Sequence, residues 1–168
     1  MSEVVNIASR LSMLARKSPQ QPAVIQSVKT NKRGENTYRT LSFAKLDQQS
    51  DRIAAGLIAR GFRPEMKLVL FVPFSIDFIT LTFALFKAGA VIVLIDPGMG
   101  RANIFRCLEE VNPDGFVAVP IVQFVRLANR KKFPNAKFNI SSRFWTPGVV
   151  GRLKELKSSN VGKFKTHP

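Results

Sequence analysis

Phe86-Lys87-Ala88-Gly89-Ala90-Val91-Ile92-Val93-Leu94-Ile95-Asp96-Pro97-Gly98-Met99-Gly100 is the stretch on which the fold turns. It predicts the end of a buried helix, a glycine stop, a continuous apolar strand over 90–95, and an Asp-Pro-Gly turn. A Val/Ile run without polar alternation is the pattern of a strand covered on both faces. Upstream, Ser75 is placed to cap a helix over 76–88 that is apolar nearly all round, and 67–72 is a second continuous apolar strand. Downstream, Ile104, Cys107, Leu108 and Val111 recur at helical spacing over 101–111. A third buried strand over 116–119, a helix over 121–128 and a short strand over 137–141 follow. Strand and helix alternate from Lys67 onward, which predicts an α/β layered fold with a parallel sheet flanked by helices and right-handed crossovers.

The N-terminal third reads differently. Residues 6–17 have helical spacing, and strands over 23–28 and 38–43 flank a polar, glycine-containing turn at 31–36, which predicts a β-hairpin. Ser42 then caps a helix over 43–60 that Gly61 ends. Leu46, Ile53, Leu57 and Ile58 lie on its apolar side. Asp47, Gln48, Asp51 and Arg52 fall largely on the other, with Arg52 the nearest countercharge. After residue 141 the pattern decays, with one helical turn at 152–156. The expected organisation is an incomplete α/β domain over 1–141 and a basic, poorly structured tail over 142–168.

Length and composition fit one globular unit: 168 residues, 45% hydrophobic and 22% charged. One cysteine (Cys107) and one histidine (His167) exclude an internal disulfide and a Cys/His metal cluster, and point to a reducing, cytoplasmic setting. No run reaches the roughly 18 apolar residues of a spanning helix. The net charge of +15 is uneven. Residues 121–168 hold eleven Lys/Arg against one acidic residue, whereas 61–120 hold five against six. A basic segment over 126–165, with Phe133, Phe138, Phe144 and Trp145 interleaved, could engage an anionic membrane or nucleic acid. A solvated charged face accounts for it equally well.

The residues that carry chemistry are few. Asp96, Gly98 and Gly100 form a turn between a strand and a helix, where ligands of open α/β sheets bind and phosphates can be cradled. Asn103 stands where a dinucleotide fingerprint needs its last glycine, so an Asp bonded to its own turn is the simpler reading. Glu109 and Glu110 point in different directions on a helix. No nucleophile–base set or metal set is present, so no catalytic and no metal-ligating residue is assigned.

Four stretches, in order, resemble the N-terminal region of AMP-binding, adenylate-forming enzymes, a superfamily that includes fatty-acyl-CoA ligases and olefin-pathway β-lactone synthetases. They are residues 6–23, ending Ser18-Pro19-Gln20-Gln21-Pro22-Ala23; Leu41-Ser42-Phe43-Ala44-Lys45-Leu46; the helix over 50–61; and 86–97 with its Asp96-Pro97-Gly98-Met99-Gly100 continuation. The resemblance covers roughly 6–141. It implies activation of a fatty acid or related carboxylate as an acyl-adenylate, with ATP and Mg2+ in the complete enzyme. That chemistry needs a Ser/Thr/Gly-rich phosphate loop ending Pro-Lys-Gly and a C-terminal lysine. The nearest string here, Ser158-Ser159-Asn160-Val161-Gly162-Lys163, lacks the pattern. The resemblance therefore implies a fragment that binds no cofactor by itself, with the remainder of the enzyme as its partner. Gly98 stands where some CoA-using relatives carry a basic residue, which argues against a CoA contact there. A sheet this apolar with so few elements also predicts an exposed apolar patch.

Overall fold

A computed structural model describes residues 6–30, 34, 36–159 and 164–167. The predicted turn at 31–36, apart from Gly34 and Asn36, and the last four residues of the 158–163 string lie outside that set. The chain opens with helix α1 (Ala8–Lys17), followed by an antiparallel hairpin, β1 (Pro22–Thr30) and β2 (Asn36–Ser42). The Ser42 side chain accepts from the Lys45 amide and starts α2 (Phe43–Ala59). The layered part then runs β3 (Lys67–Phe71), α3 (Ile76–Ala88), β4 (Val91–Val93), α4 (Arg101–Val111), β5 (Gly115–Ala118), α5 (Pro120–Ala128), β6 (Phe138–Ser141), β7 (Gly151–Arg152) and α6 (Leu153–Lys157).

Every pairing among β3 to β7 is parallel, and the sheet order is β4-β3-β5-β6-β7. The fold is α/β, as the alternation predicts. On one face, α2, α3 and α6 bury Ile53, Leu57, Leu81, Leu85, Leu153 and Leu156 against Leu68, Leu70, Val117 and Ile140. On the other, α4 and α5 cover Val69, Phe116 and Ala118. A third cluster joins α1, the hairpin, α2 and α3 through Leu11, Leu41, Leu46 and Ile76. Helix α3 thus lies between two apolar layers, the physical reason it can be apolar nearly all round. Its ends match the sequence reading: the Ser75 side chain accepts from the Phe78 amide, and Gly89 closes it at φ +79°. At Gly115 a Cβ would lie 1.6 Å from the Phe138 carbonyl oxygen, so only glycine lets β5 approach β6 there.

Three expectations change. The strand expected over 90–95 is only Val91–Val93 and forms the sheet edge, with Val91 and Leu94 exposed. An edge strand has one neighbouring strand instead of two, so composition alone overstates its cover. The poorly structured tail expected from 142 does not hold over 142–159. β7 pairs with β6, and Leu156 is fully buried beneath α2, where an alanine at Gly56 would sit 2.9 Å from its side chain. Asp47 and Asp51 are not on a solvated face. Both are buried around Lys87, 0% exposed, whose Nζ donates to Asp47 Oδ1 and Asp51 Oδ1 at 2.6 Å and to the Asp47 carbonyl at 3.0 Å. Ser12 Oγ donates to the same Asp47 oxygen at 2.8 Å.

Candidate functional site

Strand order places the candidate site. Chain order from β3 runs outward to β4 on one side and then back across to β5 on the other, so the chain leaves β3 for α3 on one face of the sheet and leaves β5 for α5 on the opposite face. Open α/β sheets bind ligands outside the carboxyl ends of the strands at such a switch point. Here the switch lies between β3 and β5, where Phe71-Val72-Pro73-Phe74-Ser75 and Ala118-Val119 emerge.

Two clefts meet at that edge. The first, about 270 Å³, is lined by Gln26, Arg39, Pro73, Ser75, Asp77, Val119, Ser142 and Arg143 among others. Its polar groups are already arranged. Gln26 Oε1 accepts from the Ile76 amide at 3.0 Å, and Ser75 Oγ donates to the Pro73 carbonyl at 3.0 Å. Asp77 Oδ1 accepts from Lys157 Nζ at 2.5 Å. Arg39 and Arg143 are exposed at its rim, so the cleft is positive. The second, about 440 Å³, is apolar, walled by Leu70, Phe71, Phe74, Phe78, Leu94, Ile95 and Pro97. A positive cleft beside an apolar one suits a substrate with an anionic end and an apolar body.

Asp96, Gly98 and Gly100 line neither cleft. Asp96 Oδ1 accepts from the Gly98 amide at 2.8 Å and caps a single 3₁₀ turn, Pro97–Met99. All three residues are exposed, and Gly100 leads into α4 at φ +83°. The amide that a phosphate would need is thus occupied by the turn's own aspartate. Among the described residues no group of three His, Cys, Asp or Glu side chains could hold a metal. These donors do not fit ATP or Mg2+ by themselves. Glu109 pairs with Lys132 at the surface. Arg130, Lys131 and Lys132 form one exposed 3₁₀ turn, but Arg126, counted with the basic segment, is only 6% exposed.

Sequence reading missed Gln26, Arg39, Ser142 and Arg143, which come from the hairpin and the far side of the sheet. No local signal joins them, because strand order alone brings them together. Pro73-Phe74-Ser75 was readable as a strand exit and helix cap, though not as the rim of a cleft.

Comparison with known proteins agrees with this architecture. A match to the AMP-binding enzyme family spans residues 11–154. An olefin β-lactone synthetase of Xanthomonas campestris pv. campestris is 42% identical over 127 residues, covering 75% of this chain and 23% of that protein. One from Stenotrophomonas maltophilia is 40% identical over 132 residues, covering 77% and 24%. The chain thus spans about a quarter of the length of these relatives. Among solved structures, a long-chain-fatty-acid-CoA ligase from Archaeoglobus fulgidus superposes with TM-score 0.78 at 19% identity, over 98% of this chain and 32% of that one. Acetoacetyl-CoA synthetase from Streptomyces lividans gives 0.78 at 19%, over 98% and 27%. With the family match running from α1 into α6 and the parallel sheet and its hairpin shared with those ligases, this chain belongs to the AMP-binding enzyme family.

Proposed function

We propose that these residues are the N-terminal portion of a cytoplasmic carboxylate-activating ligase, working on a fatty acid or related acid, and that they do not release pyrophosphate alone. The paired clefts at the β3/β5 switch point support this reading. One offers Arg39 and Arg143 to an anion and the other an apolar wall to an acyl body. Among the described residues, the Asp96–Gly98 bond closes the glycine turn at the head of α4, so phosphate binding is assigned to the remainder of the enzyme. The partner that completes the site is the remainder of the enzyme, in the same or a separate chain.

ATP–pyrophosphate exchange with a panel of fatty acids tests it. The 168-residue chain alone should give no exchange above background. Co-expression with a polypeptide covering the rest of a 42%-identical relative should yield a complex that does exchange. Exchange by the chain alone overturns the claim of incompetence. A soluble, well-formed complex without exchange overturns the ligase reading. Salt-dependent binding to anionic vesicles or nucleic acid, lost on neutralising Arg130, Lys131 and Lys132, would favour a non-catalytic basic module instead.

A further inference from the structure

The face of the sheet opposite α2 and α3 carries a further cleft, which meets the apolar switch-point cleft only at Phe71 and Pro97. It is about 400 Å³, lies between α4 and α5, and is walled by Phe71, Leu108, Phe116, Val122 and Phe133. That volume falls in the lower part of the ~300–1,000 Å³ range of small-molecule pockets. Two cations interrupt the apolar wall, Arg101 and Arg126. Arg101 is exposed, with its guanidinium 5.6 Å from the Phe105 ring centroid. Arg126 is 94% removed from solvent.

Arg126 is the unusual group. Its Nε donates to Gln123 Oε1 at 3.0 Å and its Nη2 to the Gly148 carbonyl at 3.3 Å. No carboxylate among the described residues pairs with it. Burial lowers its pKa from the ordinary arginine value, because desolvation penalises the charged form. A purely structural pin does not require this arrangement. Gln123 already ties α5 to the sheet by donating Nε2 to the carbonyls of Phe116 and Ile140 at 3.0 and 2.9 Å. Buried charge is retained when something supplies the opposite charge.

We propose that the α4/α5 cleft binds a small amphipathic anion, its apolar body against Phe71, Leu108 and Phe116 and its single anionic head paired with Arg126 and Arg101. The site is independent of the ligase reading and stands if that reading fails. The head is a carboxylate or a phosphate, since guanidinium groups recognise both.

Calorimetric titration of the intact chain with sodium octanoate, octyl phosphate and octanol decides it. Octanoate should bind one-to-one and at least tenfold more tightly than octanol. Tighter binding of octyl phosphate keeps the proposal and assigns the head as phosphate. Arg126→Met should reduce octanoate to the affinity of octanol, and Val122→Trp, which fills the cleft without touching charge, should abolish both. In the unmodified chain, where no variant has to fold, octanoate should shift the ring signals of Phe105, Phe116 and Phe133. It should leave Phe62 and Phe138, in the opposite layer, unmoved. Equal affinity for octanol and octanoate, or shifts confined to Phe62 and Phe138, would overturn the proposal. So would a dimer in solution on which none of the three probes acts, because the cleft would then belong to a second copy.

Discussion

Lys87 shows how much one residue's meaning depends on its surroundings. In sequence it interrupts an apolar run. In the fold it is fully buried, and its three donors go to Asp47 Oδ1, Asp51 Oδ1 and the Asp47 carbonyl. Two like charges four residues apart on one helix destabilise it when exposed, so the pair makes sense only around a cation. Replacing that cation leaves two buried carboxylates without countercharge. Lys87→Met should therefore cost roughly 3–5 kcal/mol in urea unfolding at neutral pH. Adding Asp47→Asn and Asp51→Asn should return most of that loss, because a neutral set carries no desolvated charge. An unchanged midpoint in the single variant would show that the ion pairs carry no net stability. The helix cap and stop around Lys87 were legible in sequence because they involve neighbours. Its partners, 36 and 40 residues away, were not.

At the scale of elements, the short pair β7 and α6 was the least visible. The helical turn expected over 152–156 forms as α6, but a two-residue strand gives no periodicity to read, and nothing local shows that Leu153 and Leu156 complete the layer over α2. Leu156→Ala should cost about 2–5 kcal/mol, measured by denaturant unfolding, because it empties a fully buried site. An exposed helical turn would lose almost nothing. The same element carries a pH signature. Glu155 Oε1 accepts from Arg152 Nε at 2.7 Å and Oε2 from the Arg152 amide at 3.0 Å. The Arg152 side-chain bond first, then the backbone bond, holds this carboxyl below its ordinary value. A carboxyl lowered on folding contributes stability above its unfolded value and loses it as pH falls through the folded one. The stability difference between the parent and Glu155→Gln should thus be present at neutral pH and vanish in that acid window. A pH series of unfolding curves with a constant difference would refute the assignment.

Over the whole molecule, the balance of buried and exposed apolar surface bears on what the chain needs around it. Phe74 is 82% exposed, Ile121 68%, Leu94 61%, Phe144 59% and Trp145 58%. Exposed single apolar groups are ordinary, but several at the carboxyl edge and along α5 mark surface suited to a partner. The chain should bind a hydrophobic dye and self-associate with rising concentration. Phe74→Ser with Trp145→Ser should lower both without lowering the melting temperature, since neither side chain packs in a core cluster. Dye binding that survives the double substitution would place the sticky surface elsewhere.

The amino-acid sequence alone determined the α/β class, the hairpin, the bounds of α3 and α4, and the family resemblance. The class, the hairpin and the helix bounds rest on apolar periodicity, a capping residue or a glycine stop within one or two helical turns, and such local rules need no knowledge of the rest of the chain; the resemblance rests on four motifs in order, the stretches 41–46 and 86–97 among them. Only the tertiary structure decided that β4 is an edge, that β3 and β5 enclose the switch point, that Lys87 gathers two aspartates and that Arg126 is buried in an apolar wall. Those outcomes depend on which segments lie side by side once several crossovers have been made, as the Lys157–Asp77 pair at a separation of 80 illustrates. Asp96 and its glycines fall between the two. Their turn was readable from sequence, and only the fold showed that its hydrogen bonds are spent on itself while the clefts open beside it.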